Sequence, residues 1–185
     1  MAFTQARRVL ILAAFLAAMV AVAFAGDDDN NRGDSWKPKS FTSALVGANE
    51  IPKNNSEAAR NAVGDKRGTV DMKLDIHKSN GEPVFVAYSV KTSNLEGEMP
   101  PTMTHVHNGT KGRNGAKLLD LPCTYQKKSS SEWVCQGSLG EPLNERTRAL
   151  LWTLKRITKH PHEFYGNIHT KKYPDGAVRG QFRKA

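Results

Sequence analysis

The strict alternation of apolar and polar residues between Thr69 and Ile76 constrains the fold of this 185-residue chain more than any other feature. Val70, Met72, Leu74 and Ile76 occupy every second position, and threonine, aspartate or lysine fills the positions between them. This period of two is that of a strand with one dry face, because successive side chains of a strand point to opposite sides of a sheet. The pattern therefore predicts a β-rich domain.

Turn signals divide much of the remaining chain into further short strands. Ser79-Asn80-Gly81 follows the alternating segment and favours a tight hairpin turn into a strand over Val84–Lys91. Clusters of Gly and Pro separate the other candidates. The sequence predicts strands over 41–47, 69–76, 84–91, 103–107, 116–121, 133–139, 164–170 and 178–182.

One segment departs from the strand pattern. Between Asn144 and Thr158, leucine and isoleucine recur at spacings of three and four, which predicts one amphipathic helix. Asn144 suits the N-cap, and Pro161 ends the run. About eight strands and one inserted helix predict a mainly β chain, folded as an antiparallel sandwich or barrel.

The first 25 residues have the three parts of a secretory signal peptide. Arg7 and Arg8 give a positive start, Val9–Ala25 is an apolar run, and Ala23-Phe24-Ala25 is the small-x-small pattern that signal peptidase accepts. An uncleaved membrane anchor is the alternative, because the run reaches the lower length limit of a membrane-spanning helix. The lack of a following Lys/Arg cluster favours cleavage. We therefore expect a secreted protein without a transmembrane anchor, beginning with a flexible acidic lead-in over 26–40.

Basic residues outnumber acidic ones, 27 to 18, and they are concentrated in the segment from Lys155 to Ala185. Such an excess attracts anionic partners, so an anionic glycan, an anionic lipid surface or an extracellular protein is a candidate partner. Solubility through net charge is the alternative explanation. Nucleic acid is not expected as a partner of a secreted chain that carries no nucleic-acid-binding motif.

The two cysteines, Cys123 and Cys135, are expected to form a disulfide, because an even number in an exported chain favours pairing. The segment between them has a polar tip and strand-like flanks, which indicates a hairpin whose arms are joined. Closing so short a loop stabilises a fold by about 3 kcal/mol in the chain-entropy model. The sequons at Asn54 and Asn108 are candidate glycosylation sites in the same compartment.

Four blocks in order along the chain resemble the motifs of one known family. They are a strand and Gly-Ala-x-Glu-x-Pro turn over Phe41–Pro52, a His-x-His segment over Thr104–Gly109, a Tyr-x-Asn-x-His-Thr strand over Tyr165–Thr170, and a Pro-x-Gly-x-x-Arg-Gly-Gln motif over Pro174–Gln181. On these motifs the chain is identified as a member of the CHRD (chordin-type) domain family, with the domain over residues 41–183. The family usually has two consecutive prolines at the end of the first motif, whereas here Pro52 is followed by Lys53.

The resemblance implies an immunoglobulin-like or superoxide-dismutase-like antiparallel fold and an exported protein. Family membership by itself defines no reaction, since one fold hosts many functions. The sequence as a whole favours a non-enzymatic binding or extracellular structural role, and the alternative is a copper- or zinc-binding protein that can act as a metal-dependent oxidoreductase. Superoxide dismutase chemistry itself is not expected, because it needs two linked metal sites with more ligands than this chain offers.

Strand periodicity directs several polar residues of these motifs away from the core. His105 and His107 share one face of their strand, and His169 lies on the non-core face of a later strand. If these strands are neighbours, the three histidines and Arg179 form one polar patch. A copper or zinc site on the three imidazoles is one interpretation of this patch, with Glu50 as a weaker fourth ligand or as a partner for an imidazole N–H.

A structural network is the second interpretation of the same polar residues. Glu50, Asn167, Arg179 and Gln181 can satisfy one another and the backbone across a sandwich, with Glu50 and Arg179 as a charge pair. A recognition surface for a protein or glycan is the third interpretation. The sequence alone leaves all three open.

Overall fold

A computed structural model describes residues 37–52, 64–140 and 145–185, and the side chains within these ranges except those of residues 145 and 146. The predicted signal peptide, most of the lead-in, the sequon at Asn54 and the predicted N-cap Asn144 lie outside the described residues. Within these described ranges there are ten strands, one α-helix and two short 3-10 turns, Gly47–Asn49 and Pro161–Glu163. The elements are β1 (Lys39–Val46), β2 (Thr69–Ser79), β3 (Glu82–Ser93), β4 (Met103–Asn108), β5 (Lys117–Asp120), β6 (Gln126–Lys127), β7 (Glu132–Leu139), α1 (Glu145–Lys159), β8 (Phe164–His169), β9 (Val178–Gln181) and β10 (Arg183–Lys184).

All strand pairs are antiparallel and belong to one sheet, in the order β5-β4-β8-β9-β1-β2-β3-β7-β6, with β10 also paired to β1. The sheet curls. The strands β5 and β7 lie near opposite ends of the strand order, and a disulfide between Cys123, which follows β5, and Cys135 on β7 connects these two regions. The predicted mainly β, antiparallel fold with one helix is confirmed, as is the disulfide. The predicted hairpin is present as β6 and β7.

The hairpin of β2 and β3 follows directly from the sequence pattern. Asn80 and Gly81 both have positive φ angles, 51° and 79°. These angles are those of the two-residue turn whose twist matches the flanking strands. The turn fixes the register, so the apolar positions of β2 all reach the core, with Val70, Met72 and Leu74 each no more than 1% exposed.

Helix α1 packs against β3 and β5. Leu150, Leu154 and Ile157 are buried on the face towards the sheet, as the three-and-four spacing predicts. Within the described part of the chain, no helix is long and apolar enough to span a membrane.

Strand β8 is buried on both of its faces. On one side Ile168 lies in the apolar core, and on the other Tyr165, Asn167 and His169 are each less than 10% exposed. The polar face therefore forms a second, enclosed layer.

Candidate metal centre

Strands β4 and β8 bring the three predicted histidines together. The register pairs His105 with Asn167 and Met103 with His169, and β9 follows as the next strand with Asn167 opposite Arg179. Val106 and Ile168 are fully buried in the core, so the histidines lie on the opposite face. The sequence interpretation depended on this adjacency of strands, and the structure provides it.

One nitrogen from each of His105, His107 and His169 forms a group whose members all lie within 4.8 Å of one another. The ring centroid of His105 lies 5.0 Å from that of His169 and 5.6 Å from that of His107. His105 and His169 are 6% and 9% exposed, and His107 is partly exposed. Three imidazoles at this spacing are the ligand set of many zinc and copper sites.

Each ring is oriented by an acceptor at its other nitrogen. His105 Nε2 lies 3.1 Å from Asp120 Oδ1, His107 Nδ1 lies 3.1 Å from the carbonyl oxygen of Gly115, and His169 Nδ1 lies 2.9 Å from that of Pro174. An imidazole that donates its N–H to such an acceptor carries the lone pair on the remaining nitrogen. A carboxylate or carbonyl behind each imidazole is the usual arrangement around a bound metal.

The nitrogens that face the cluster from β4 are left without conventional partners. His105 Nδ1 and His107 Nε2 are buried, and neither has a hydrogen-bond partner within the described residues. A buried polar atom without a partner costs about 1–3 kcal/mol, so its position in a fold calls for an explanation. A metal ion that accepts both lone pairs supplies one.

Electrostatics keep these imidazoles neutral. Burial, reinforced by the nearby His169, lowers the pKa of His105 to about 4. Burial also lowers the pKa of His107. Neutral imidazole is the form that binds a metal, so these two rings are in the ligating form at neutral pH.

Arg179 performs a different task from the histidines. Its side chain is 2% exposed, and its guanidinium lies 3.4 Å from the centroid of the Tyr165 ring. It donates to Asn114 Oδ1 at 2.9 Å and to the carbonyl oxygens of Arg113 at 2.6 Å and Thr110 at 3.3 Å. A buried guanidinium saturated in this way ties β9 to the loop between β4 and β5.

Gln181 continues the same network. Its Nε2 lies within hydrogen-bond distance of the carbonyl oxygens of Gly109, His162 and Phe164. The loop held by Arg179 and Gln181 carries Gly115, whose carbonyl oxygen orients His107. The side chains of the polar network thus position one of the three imidazoles without belonging to the cluster.

Glu50 is joined to the network but lies apart from the cluster of ligand nitrogens in the described residues. Its Oε1 accepts a hydrogen bond from Asn167 Nδ2 at 2.5 Å, and Arg179 acts on it through its electrostatic field. Burial raises the pKa of Glu50 to about 7, against the opposing field of Arg179. Glu50 lines a cleft of about 300 Å³ together with His107 and His169.

Two contacts to the histidines were not predicted from the sequence. Asp120 lies on β5, opposite His105 in the β4–β5 pairing, and Tyr165 stacks on His107 with ring centroids 4.9 Å apart. The strand pattern around Leu119 could have placed Asp120 on a strand. Its pairing with His105 could not be predicted without the register of β4 and β5. The sequon residue Asn108 ends β4 and is partly exposed.

Comparison with known families identifies the class of protein. A sequence profile of the CHRD domain matches residues 41–182. The chain therefore belongs to the CHRD domain family. No curated protein and no solved structure matches it.

The raised pKa of Glu50 predicts a pH-dependent stability. Between about pH 4.5 and 7 the folded chain holds a proton that the unfolded chain has released, so the free energy of unfolding falls as the pH rises through this range. Replacing Glu50 by glutamine should abolish that loss, which amounts to about 2–3 kcal/mol. Urea unfolding of the metal-free proteins at pH 4.5 and pH 8 measures it.

Glu98→Gln is the matched control, because the Glu98 side chain is 70% exposed and pairs with Lys171. This variant should keep the pH dependence of the wild type. An equal pH dependence in the wild type and the Glu50→Gln variant would contradict the assignment.

Proposed function

We propose that this CHRD-domain protein is exported and binds a copper or zinc ion through His105, His107 and His169. The observation that carries the proposal is the pair of buried, partnerless nitrogens on His105 and His107, in a group that spans no more than 4.8 Å. The predicted signal peptide and the disulfide support an extracellular location. Glycans at Asn54 and Asn108 are part of the same proposal.

A purely structural role explains the neighbouring polar residues better than it explains the imidazoles. The hydrogen-bond donors of Arg179 and Gln181 have acceptors in the loop backbone, as a structural network requires. His105 Nδ1 and His107 Nε2 are instead buried atoms without a hydrogen-bond partner within the described residues, on rings whose centroids lie 5.6 Å apart. Side chains selected only for stability would be better served by partners or by apolar replacements.

The proposal concerns binding, and it assigns no reaction to the chain. Imidazole nitrogens suit both copper and zinc, so the three histidines alone leave the choice between them open. When bound, such an ion would supply Lewis acidity or, for copper, electron transfer. Metal-dependent oxidoreductase activity is the alternative, and it would require activity that is lost on chelation and restored by one metal.

Metal content tests the proposal. The wild type, secreted without a His tag, should contain close to one copper or zinc ion per chain by plasma mass spectrometry, and His105→Ala/His169→Ala should contain less than about a tenth of that. A metal concentration about 100 times the Kd should stabilise the wild type by about 2.7 kcal/mol and leave the variant unchanged.

His160→Ala/His162→Ala, which removes two exposed histidines, is the matched control and should keep the metal. A wild type that takes up neither ion would refute the proposal. A double variant whose metal-free melting temperature falls steeply would instead favour a structural role.

A second candidate function is binding of an anionic polysaccharide, favoured by an exposed tryptophan beside a lysine cluster. Lys155 pairs with Glu82 at 2.8 Å, and Lys39, Lys78 and Lys159 lie near enough to affect the electrostatics around this pair. Three lysines around Glu82, with Lys39 beside Lys78, leave an excess of positive charge. Trp152 on the neighbouring turn of α1 is 56% exposed, and a flat indole can pack on a sugar ring.

A glycan suits this lysine patch better than a membrane does. Leu150, Leu154 and Ile157 of α1 face the sheet, and within the described residues Trp152 and Met103 are the exposed large hydrophobic side chains. An interfacial membrane helix needs a broad apolar face, which α1 lacks on its outer side.

Affinity for immobilised heparin, a sulfated polysaccharide, tests this second function. Trp152→Ala and Lys78→Ser/Lys159→Ser should each raise the Kd by about fivefold, the size expected for an aromatic anchor or two ionic contacts. Arg183→Ser/Lys184→Ser removes the same charge from exposed positions at the C-terminus and should change the Kd less than about twofold. Equal losses in both double variants would indicate unspecific charge attraction. If these variants lost binding to phosphatidylserine vesicles while their heparin affinity stayed unchanged, a membrane would be the favoured partner.

A further inference from the structure

Met103 is an exposed hydrophobic side chain in an unusual place. It is 45% exposed, whereas every other apolar residue of β4 and β8 is buried. Exposure of one methionine is ordinary on a protein surface. The position of Met103 relative to the histidines makes it informative.

Strand periodicity places Met103 on the same face as His105 and His107, at intervals of two residues. The β4–β8 register also pairs Met103 directly with His169. Directly opposed residues of an antiparallel pair have Cβ atoms about 4.5–5.5 Å apart. Met103 is thus a neighbour of the cluster both along its own strand and across to the next one.

The intervening residues fix this orientation. Val106 is fully buried in the core. On the side of the strand that carries Val106, the hydroxyl of Thr104 is hydrogen-bonded to that of Tyr125 at 2.8 Å. A slip of one residue would move Val106 to the polar face, so Met103 is held on the side of the histidines. Met103 also lines one cleft of about 220 Å³ with His105 and its partner Asp120.

We propose that the metal of this site is copper, bound preferentially as Cu(I), with the Met103 thioether as an additional ligand beside the three imidazoles. A thioether is a soft ligand that selects Cu(I), whereas the zinc sites of proteins are built from thiolate, imidazole and carboxylate ligands. Methionine has an unbranched and adaptable side chain, and this allows its sulfur to reach the cluster from the neighbouring position. This inference rests on the metal site proposed above and names its ion.

The substitution Met103→Leu removes the thioether sulfur and keeps an apolar side chain of similar volume. Leucine is close to methionine in volume and apolar character, so a partly exposed site should tolerate it. The Cu(I) affinity is measured anaerobically, under reductant, by competition with bicinchoninate. The zinc affinity is measured by competition with a chromophoric chelator. Met99→Leu is the matched control, because Met99 is a partly buried methionine that packs on the core.

Loss of the soft ligand should raise the Kd for Cu(I) by about tenfold or more, a change of about 1.4 kcal/mol, and change the Kd for zinc less than about twofold. Met99→Leu should leave both affinities as in the wild type. Unchanged Cu(I) affinity in Met103→Leu would overturn the role of Met103 while leaving a three-histidine site intact. Equal weakening of Cu(I) and zinc would also overturn it, because the effect would then be one of shape.

Failure of the underlying site has a different signature. In that case the wild type and His105→Ala/His169→Ala would bind Cu(I) and zinc equally poorly. That result would overturn both proposals, whereas unchanged Cu(I) affinity in Met103→Leu overturns only the role of Met103, so the two failures are distinguishable.

Discussion

The polar half of this domain depends on the buried guanidinium of Arg179. It stacks on Tyr165, and Tyr165 in turn stacks on His107. The same guanidinium holds the backbone of the loop between β4 and β5, which supplies the Gly115 carbonyl behind His107. Because the arginine is shielded from water, these contacts are stronger than they would be on the surface, and their loss would leave a charge buried without partners. One side chain on β9 therefore determines the position of a candidate ligand on β4.

Alternate residues of the strands lie on opposite faces of the sheet, so that one face forms the core and the other carries the polar residues of the candidate site. One face contributes the apolar core, which α1 and the curling of the sheet enclose. On β4, β8 and β9 the other face is largely buried as well, and it carries the histidines, Asn167 and Arg179. A dry core on one side gives the strands a fixed register, and a fixed register is what aligns His105 and His107 with His169. The histidine cluster lies on paired strands with a buried core face, as a preorganised binding site requires.

Much of this fold could be predicted from local pattern. The alternation in β2, the Asn80-Gly81 turn and the apolar spacing of α1 each determine a short segment and were confirmed. Strands β6 and β10 have only two residues each, too few for any periodic signal, and were missed. Asp120 was missed for a different reason. Its pairing with His105 depends on which strands are neighbours, and a single sequence does not specify strand order. The sharing of a face by His105 and His107 was predictable, but their proximity to His169 could be stated only as a condition.

The central claim is that His105, His107 and His169 each offer one ring nitrogen to a common metal position. Long-range proton–nitrogen NMR of the metal-free protein with labelled histidine, at neutral pH, tests it most directly. The account predicts the Nε2–H tautomer for His105, bonded to Asp120, and the Nδ1–H tautomer for His107 and His169, bonded to the carbonyls of Gly115 and Pro174. A proton on His105 Nδ1 or on His107 Nε2 would contradict it, because the nitrogens that face the cluster would then be donors and not ligands.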